Sequence, residues 1–98
     1  MEKKAHQYKL TLTYLKNVKG ESMDVAPVEL AVENHDDIFA IIERLQAKDL
    51  FNNKDQTAEF AIGLKLFTEV MLKHKNHPLF ADLLPAIASF MKKLKTMP

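Results

Sequence analysis

The hydrophobic pattern of this chain changes period once, at Asn34. Before that residue, apolar side chains recur every second position; after it, they recur every third or fourth. A period of two belongs to a pleated strand with one covered face, and a period near 3.6 to an amphipathic helix. The change restricts the chain to an α+β protein whose strands precede its helices. The pattern predicts a two-stranded antiparallel hairpin followed by three helices packed on one face, with residues 1–98 forming a single domain. A chain of 98 residues with 47% hydrophobic and 28% charged residues can bury a core without staples.

In residues 7–15, Tyr8, Leu10, Leu12 and Tyr14 alternate with Gln7, Lys9, Thr11 and Thr13. The turn residues of Asn17-Val18-Lys19-Gly20-Glu21-Ser22 end the alternation. It resumes with Val28, Leu30 and Val32 on one side and Glu29 and Glu33 on the other. Pro27 lacks an N–H, which suits the first residue of a strand. The helices are expected to cover the Tyr8/Leu10/Leu12 and Val28/Leu30/Val32 face, because an isolated two-stranded hairpin is marginal in water. Two sheet edges would stay open, and self-association through one of them would give a four-stranded sheet.

The first helix is predicted to open at Asn34-His35-Asp36-Asp37, capped by Asn34 or Asp36, and to end near Lys48. Ile38, Ile41, Ile42 and Leu45 form its apolar stripe, with Phe39 off centre. Asp55 or Thr57 is expected to cap the second helix. Phe60, Leu64, Phe67, Met71 and His74 share one of its faces, widened by Ala58, Ile62, Leu66 and Val70. Gly63 inside this helix costs about 1 kcal/mol relative to alanine, and the close approach of a neighbouring backbone would account for it. Asn76-His77-Pro78 stops the helix. A short turn over 79–84 and a helix over 85–95 should follow, because Pro85 disfavours a helix interior. Lys92, Lys93 and Lys95 suit the negative end of that helix.

The chemistry on offer is sparse. There is no cysteine, so disulfides and thiolate zinc sites are excluded. Ser22 and Ser89 lie in no nucleophile motif, and two glycines cannot build a phosphate-cradling loop. The four histidines are His6, His35, His74 and His77. His35, Asp36, Asp37, His74 and His77 are the only residues from which a metal-binding or catalytic set could be drawn. Each also suits a helix boundary: the aspartates as caps, His74 at a helix C-terminus, and His77 before Pro78. No catalytic, cofactor-binding or metal-ligating residue is therefore assigned.

Charge is segregated. Residues 1–20 carry five lysines and one acid, residues 21–60 ten acids and three bases, and residues 61–98 six lysines and two acids. An acidic middle docking between basic ends is the simplest account. The lysine-rich ends (Lys3, Lys4, Lys9, Lys16 and Lys19; Lys73, Lys75, Lys92, Lys93 and Lys95) are the alternative, a surface for nucleic acid. Arg44 is the only arginine, which weakens that alternative, and Tyr8 and Tyr14 are read as core rather than as base-stacking platforms. Met71 and Met91 suit core positions. No apolar run reaches the roughly 18 residues of a membrane span. The N-terminal lysines lead into no apolar stretch, so a cytoplasmic location is expected. These features describe a small interaction module with no enzymatic activity.

Four segments have a familiar form: His6-Gln7-Tyr8-Lys9-Leu10, Val32-Glu33-Asn34-His35-Asp36-Asp37-Ile38-Phe39, Gly63-Leu64-Lys65-Leu66-Phe67, and Lys75-Asn76-His77-Pro78-Leu79-Phe80. Through them the chain resembles a family of short bacterial proteins, domain of unknown function 3861, over nearly its whole length. The resemblance implies a stand-alone bacterial protein without an established activity and brings no catalytic residues with it.

Overall fold

The computed structural model describes residues 4–98 as two compact units, one ending at His35 and one running from Asp36 to Pro98. The elements occur in the order β1 (His6–Leu12), β2 (Val28–Asn34), α1 (Ile38–Lys48), α2 (Lys54–Lys73), a short 3-10 turn (Pro78–Phe80) and α3 (Leu83–Thr96). This is an α+β arrangement of a two-stranded antiparallel sheet followed by three helices.

In the first unit, Leu10 pairs with Leu30, Tyr8 with Val32 and Leu12 with Val28. These pairs share one face of the sheet. The other face is polar, and Lys9 reaches diagonally to Glu29 at 3.2 Å. The long connection forms a small hairpin of its own. A bridge joins Lys16 to Ser22, and the Met23 amide donates to the Leu15 carbonyl at 3.1 Å. Asn17 organises its tip: Oδ1 accepts from the amides of Lys19 and Glu21, each at 3.0 Å. The turn needs a left-handed residue, and Gly20 supplies it with φ +80°.

Burial along the apolar face of the sheet is graded. Asn34 is buried, and Tyr8, Val32 and Leu10 are half-buried. Leu30, Val28 and Leu12 are 49%, 53% and 67% exposed. Tyr14, expected in the core, lies beyond the end of β1 and is exposed.

The second unit is built on the packing of α1 against α2. Its centre is Leu45, Ala61 and Leu94, with Ile41, Ile42, Leu50, Phe60 and Leu64 packed around them. Ala61 is fully buried, and Thr57 one turn earlier is nearly so. Thr57 can enter the interior because its hydroxyl donates to the Asn53 carbonyl at 3.0 Å. The chain turns from α1 into α2 through Asp49 and Asn52, with φ of 53° and 52°. Aspartate and asparagine accept the left-handed region more readily than most residues. The Gln46 side chain braces the turn by donating to the Lys54 carbonyl at 3.0 Å.

Three boundaries differ from the sequence reading. Asp37 caps α1, its Oδ1 accepting from the Ala40 amide at 3.1 Å. Asn53 caps α2, its Oδ1 accepting from the Gln56 amide at 3.0 Å. The third helix begins at Leu83 rather than at residue 85, so Pro85 falls in its first turn. Amides there have no intrahelical acceptor, so the missing N–H costs nothing. Gly63 is not pressed by a neighbouring backbone: a Cβ added there would meet nothing within 4 Å.

Ala61 and Gly63 therefore make opposite predictions within one helix. Ala61→Leu overpacks the centre and lowers unfolding stability by about 1–3 kcal/mol. Gly63→Ala removes an exposed helical glycine and raises stability by up to about 1 kcal/mol. Urea denaturation of the two variants tests this contrast, and loss of stability in both would contradict it.

Candidate functional site

The residues that could have formed a reactive set are placed as helix-boundary residues. Asp37 holds the first turn of α1 through its cap. Asp36 forms an ion pair with Lys65 at 3.0 Å, with side-chain exposures of 32% and 15%. That pair ties the entry of α1 to the middle of α2. Lys65 is thus a positioning cation, a role its place in the α2 sequence did not signal.

His74 closes α2. Its amide donates to the carbonyls of Val70 at 3.2 Å and Met71 at 3.1 Å. His77 has left the helix, with φ −72° and ψ 133°, an extended conformation forced on the residue before proline. Its Nδ1 accepts from the Leu79 amide at 3.0 Å, so the imidazole acts as the N-cap of the 3-10 turn. The ring also meets Phe80 edge-on, with centroids 6.2 Å apart. All four histidines are exposed. Among the described residues, no three histidine, aspartate or glutamate side chains lie close enough together to hold a metal ion. The candidate set of His35, Asp36, Asp37, His74 and His77 is not gathered into one site.

Two lysines make defined contacts outside this set. Lys9 is engaged with Glu29. The Lys48 ammonium donates to the Met97 carbonyl, tying the end of α1 to the segment after α3. Lys3 lies outside the described residues. Among the described residues, no helix is long and apolar enough to cross a membrane.

A shallow cleft of about 490 Å3 lies along α2, lined by Phe51, Phe60, Gly63, Leu64 and Phe67. Edge-to-face contacts hold its rings. Phe60 meets Phe51 at 5.4 Å and Phe90 at 6.1 Å, and Phe67 meets Phe80 at 6.2 Å. Glu59 lies at its rim. The sequence grouped Phe60, Leu64 and Phe67 on one face, but nothing in it told which part of that face stays open. The lining of the cleft is mainly apolar, with Gln56 and Glu59 as the polar residues.

Capping roles for Asp37 and His77 predict a particular pattern of damage. Asp37→Ala lowers stability by about 1 kcal/mol, and Asp37→Asn or Asp37→Ser by much less. His77→Asn, which keeps an acceptor, is better tolerated than His77→Ala. Equilibrium denaturation of the variants measures this. Equal loss for His77→Asn and His77→Ala would exclude the cap.

No curated protein matches the chain. A solved structure does: a protein of unknown function from Pectobacterium atrosepticum SCRI1043. It is 29% identical, with a TM-score of 0.79 over 94% of this chain and 98% of that one. A family model, the domain of unknown function DUF3861 with a solved structure, matches residues 6–96. With hairpin, helices and the boundary strings at Asn34 and His77 all inside that match, the chain belongs to the DUF3861 family.

Proposed function

We propose that this protein is a non-enzymatic interaction module that works as a homodimer, joined through the outer edge of β1. The observation that carries the reading is the sheet: two strands among the described residues, with Leu12, Val28 and Leu30 exposed on its apolar face. Adding strands to an open edge satisfies backbone groups and enlarges the apolar face at the same time.

Charge favours β1 over β2 as the joining edge. An antiparallel β2–β2 pair centred on Ala31 sets Glu29 opposite Glu33 twice. An antiparallel β1–β1 pair centred on Lys9 sets Gln7 opposite Thr11 and Tyr8 opposite Leu10. Its one like-charge contact, Lys9 with Lys9, is softened because each ammonium already has Glu29 at 3.2 Å. Directly opposed like charges destabilise a sheet by about 0.2–1 kcal/mol per pair, so β2 pairing is the weaker choice.

The same register supplies the test. Gln7→Lys with Thr11→Lys places lysine opposite lysine on both sides of the axis and weakens the dimer. Gln7→Glu with Thr11→Lys places opposite charges there and strengthens it. Sedimentation equilibrium reads the association constants. A dimer indifferent to both charge patterns, or a strictly monomeric wild type at high micromolar concentration, would refute pairing through β1.

A further inference from the structure

Gly63 sits in the exposed middle of a 20-residue helix, where it weakens the helix and where nothing in the chain needs the missing side chain. It lies on the open side of α2. Glu59, Gly63, Phe67, Val70 and His74 follow one another at helical spacings of three and four, and all five are exposed. Phe67 is 43% and Val70 52% exposed. This stripe is continuous with the aromatic cleft and combines a protruding ring, a notch one turn before it, and charge at its ends.

We propose that α2 forms an interface with a second copy of this chain, the two helices lying antiparallel about a two-fold axis near Lys65. In that arrangement Phe67 of one copy fits over Gly63 of the other, and the reciprocal contact occurs by symmetry. The notch lets the two helix backbones approach closely, which accounts for a glycine that the isolated chain does not use. Phe60 of each copy comes level with Val70 of the other, so the apolar stripes cover one another along their length.

The charges fit the same operation. Glu59 and Lys73 lie beside one another on the helix surface but about 21 Å apart along its axis, too far to pair within one chain. Neither has an ion-pair partner among the described residues. Across the two-fold axis, Glu59 of one copy falls level with Met71 of the other, half a turn from Lys73, on both sides of the interface. The antiparallel direction also sets the positive end of each helix dipole beside the negative end of its neighbour. A surface that carries both the knob and its notch, and both members of an ion pair that cannot close internally, is complementary to itself.

This interface is separate from pairing through β1, and the experiment keeps the two apart. Association is measured by sedimentation in the Gln7→Lys, Thr11→Lys background, where β1 pairing is weakened. That chain still forms a reversible dimer. Adding Gly63→Leu, a residue that favours the helix and fills the notch, yields monomer with helical content kept or raised by circular dichroism. Glu59→Lys alone and Lys73→Glu alone each raise the dissociation constant several-fold, and the two together restore it. A monomeric background chain at high concentration would show that the stripe meets something other than its own copy. That result, an unchanged dimer after Gly63→Leu, or a failure of the double charge reversal to restore association, overturns the inference. If Gly63→Leu abolishes association while the β1 charges have no effect, the α2 interface stands and pairing through β1 falls.

Discussion

The contact of Ala61 with Leu45 and Leu94 is the constraint around which the second unit is organised. A methyl group at that point lets α1 lie close to α2, and the larger side chains around it then close the interior. Thr57 extends the same narrow strip by bonding its own hydroxyl to the backbone of the previous turn. The chain thus places a small side chain at this contact, with Phe60 packed against it and Phe67 on the open side. That choice leaves Phe67 and Val70 partly uncovered and gives α2 two apolar sides with different uses: one closes the core, and the other is open beside an aromatic cleft.

Around this contact, polar residues work mainly as fasteners. Asp37 and Asn53 start helices, His77 starts the 3-10 turn, Lys65 and Asp36 fix the entry to α1, and Lys48 holds the segment after α3. Three of the residues most suggestive of chemistry, Asp36, Asp37 and His77, are thereby engaged in structural contacts. A helix terminus needs acceptors for its unpaired amides, and that need alone explains Asp37 and His77.

The order and type of the elements were legible in the sequence because periodicity reports which side chains share a face. Periodicity does not report what covers that face. Tyr8 and Leu10 alternate as regularly as Leu12, yet exposure rises steadily from Asn34 towards Leu12 and Val28. Ala61 has little hydropathic weight, so periodicity does not mark it; its importance comes from its smallness. The caps were ambiguous because each boundary carries several residues of the right type. Asn34, Asp36 and Asp37 can all accept an amide hydrogen, and only the backbone path selects among them. Gly63 is unusual inside a helix, but a glycine signals a close approach without telling whether the approaching chain is its own. Asp37 and His77 each also suited a helix boundary in the sequence, and there each accepts an amide hydrogen.

The graded burial of the sheet has a consequence for the chain in solution. A newly made chain presents a strand edge beside uncovered leucine and valine, the combination from which aggregates grow. Lys9, held across the polar face by Glu29, puts a charge at the centre of the exposed edge, where it acts as a gatekeeper against indiscriminate stacking. Removal of that lysine would leave the strand edge freer to template disordered growth.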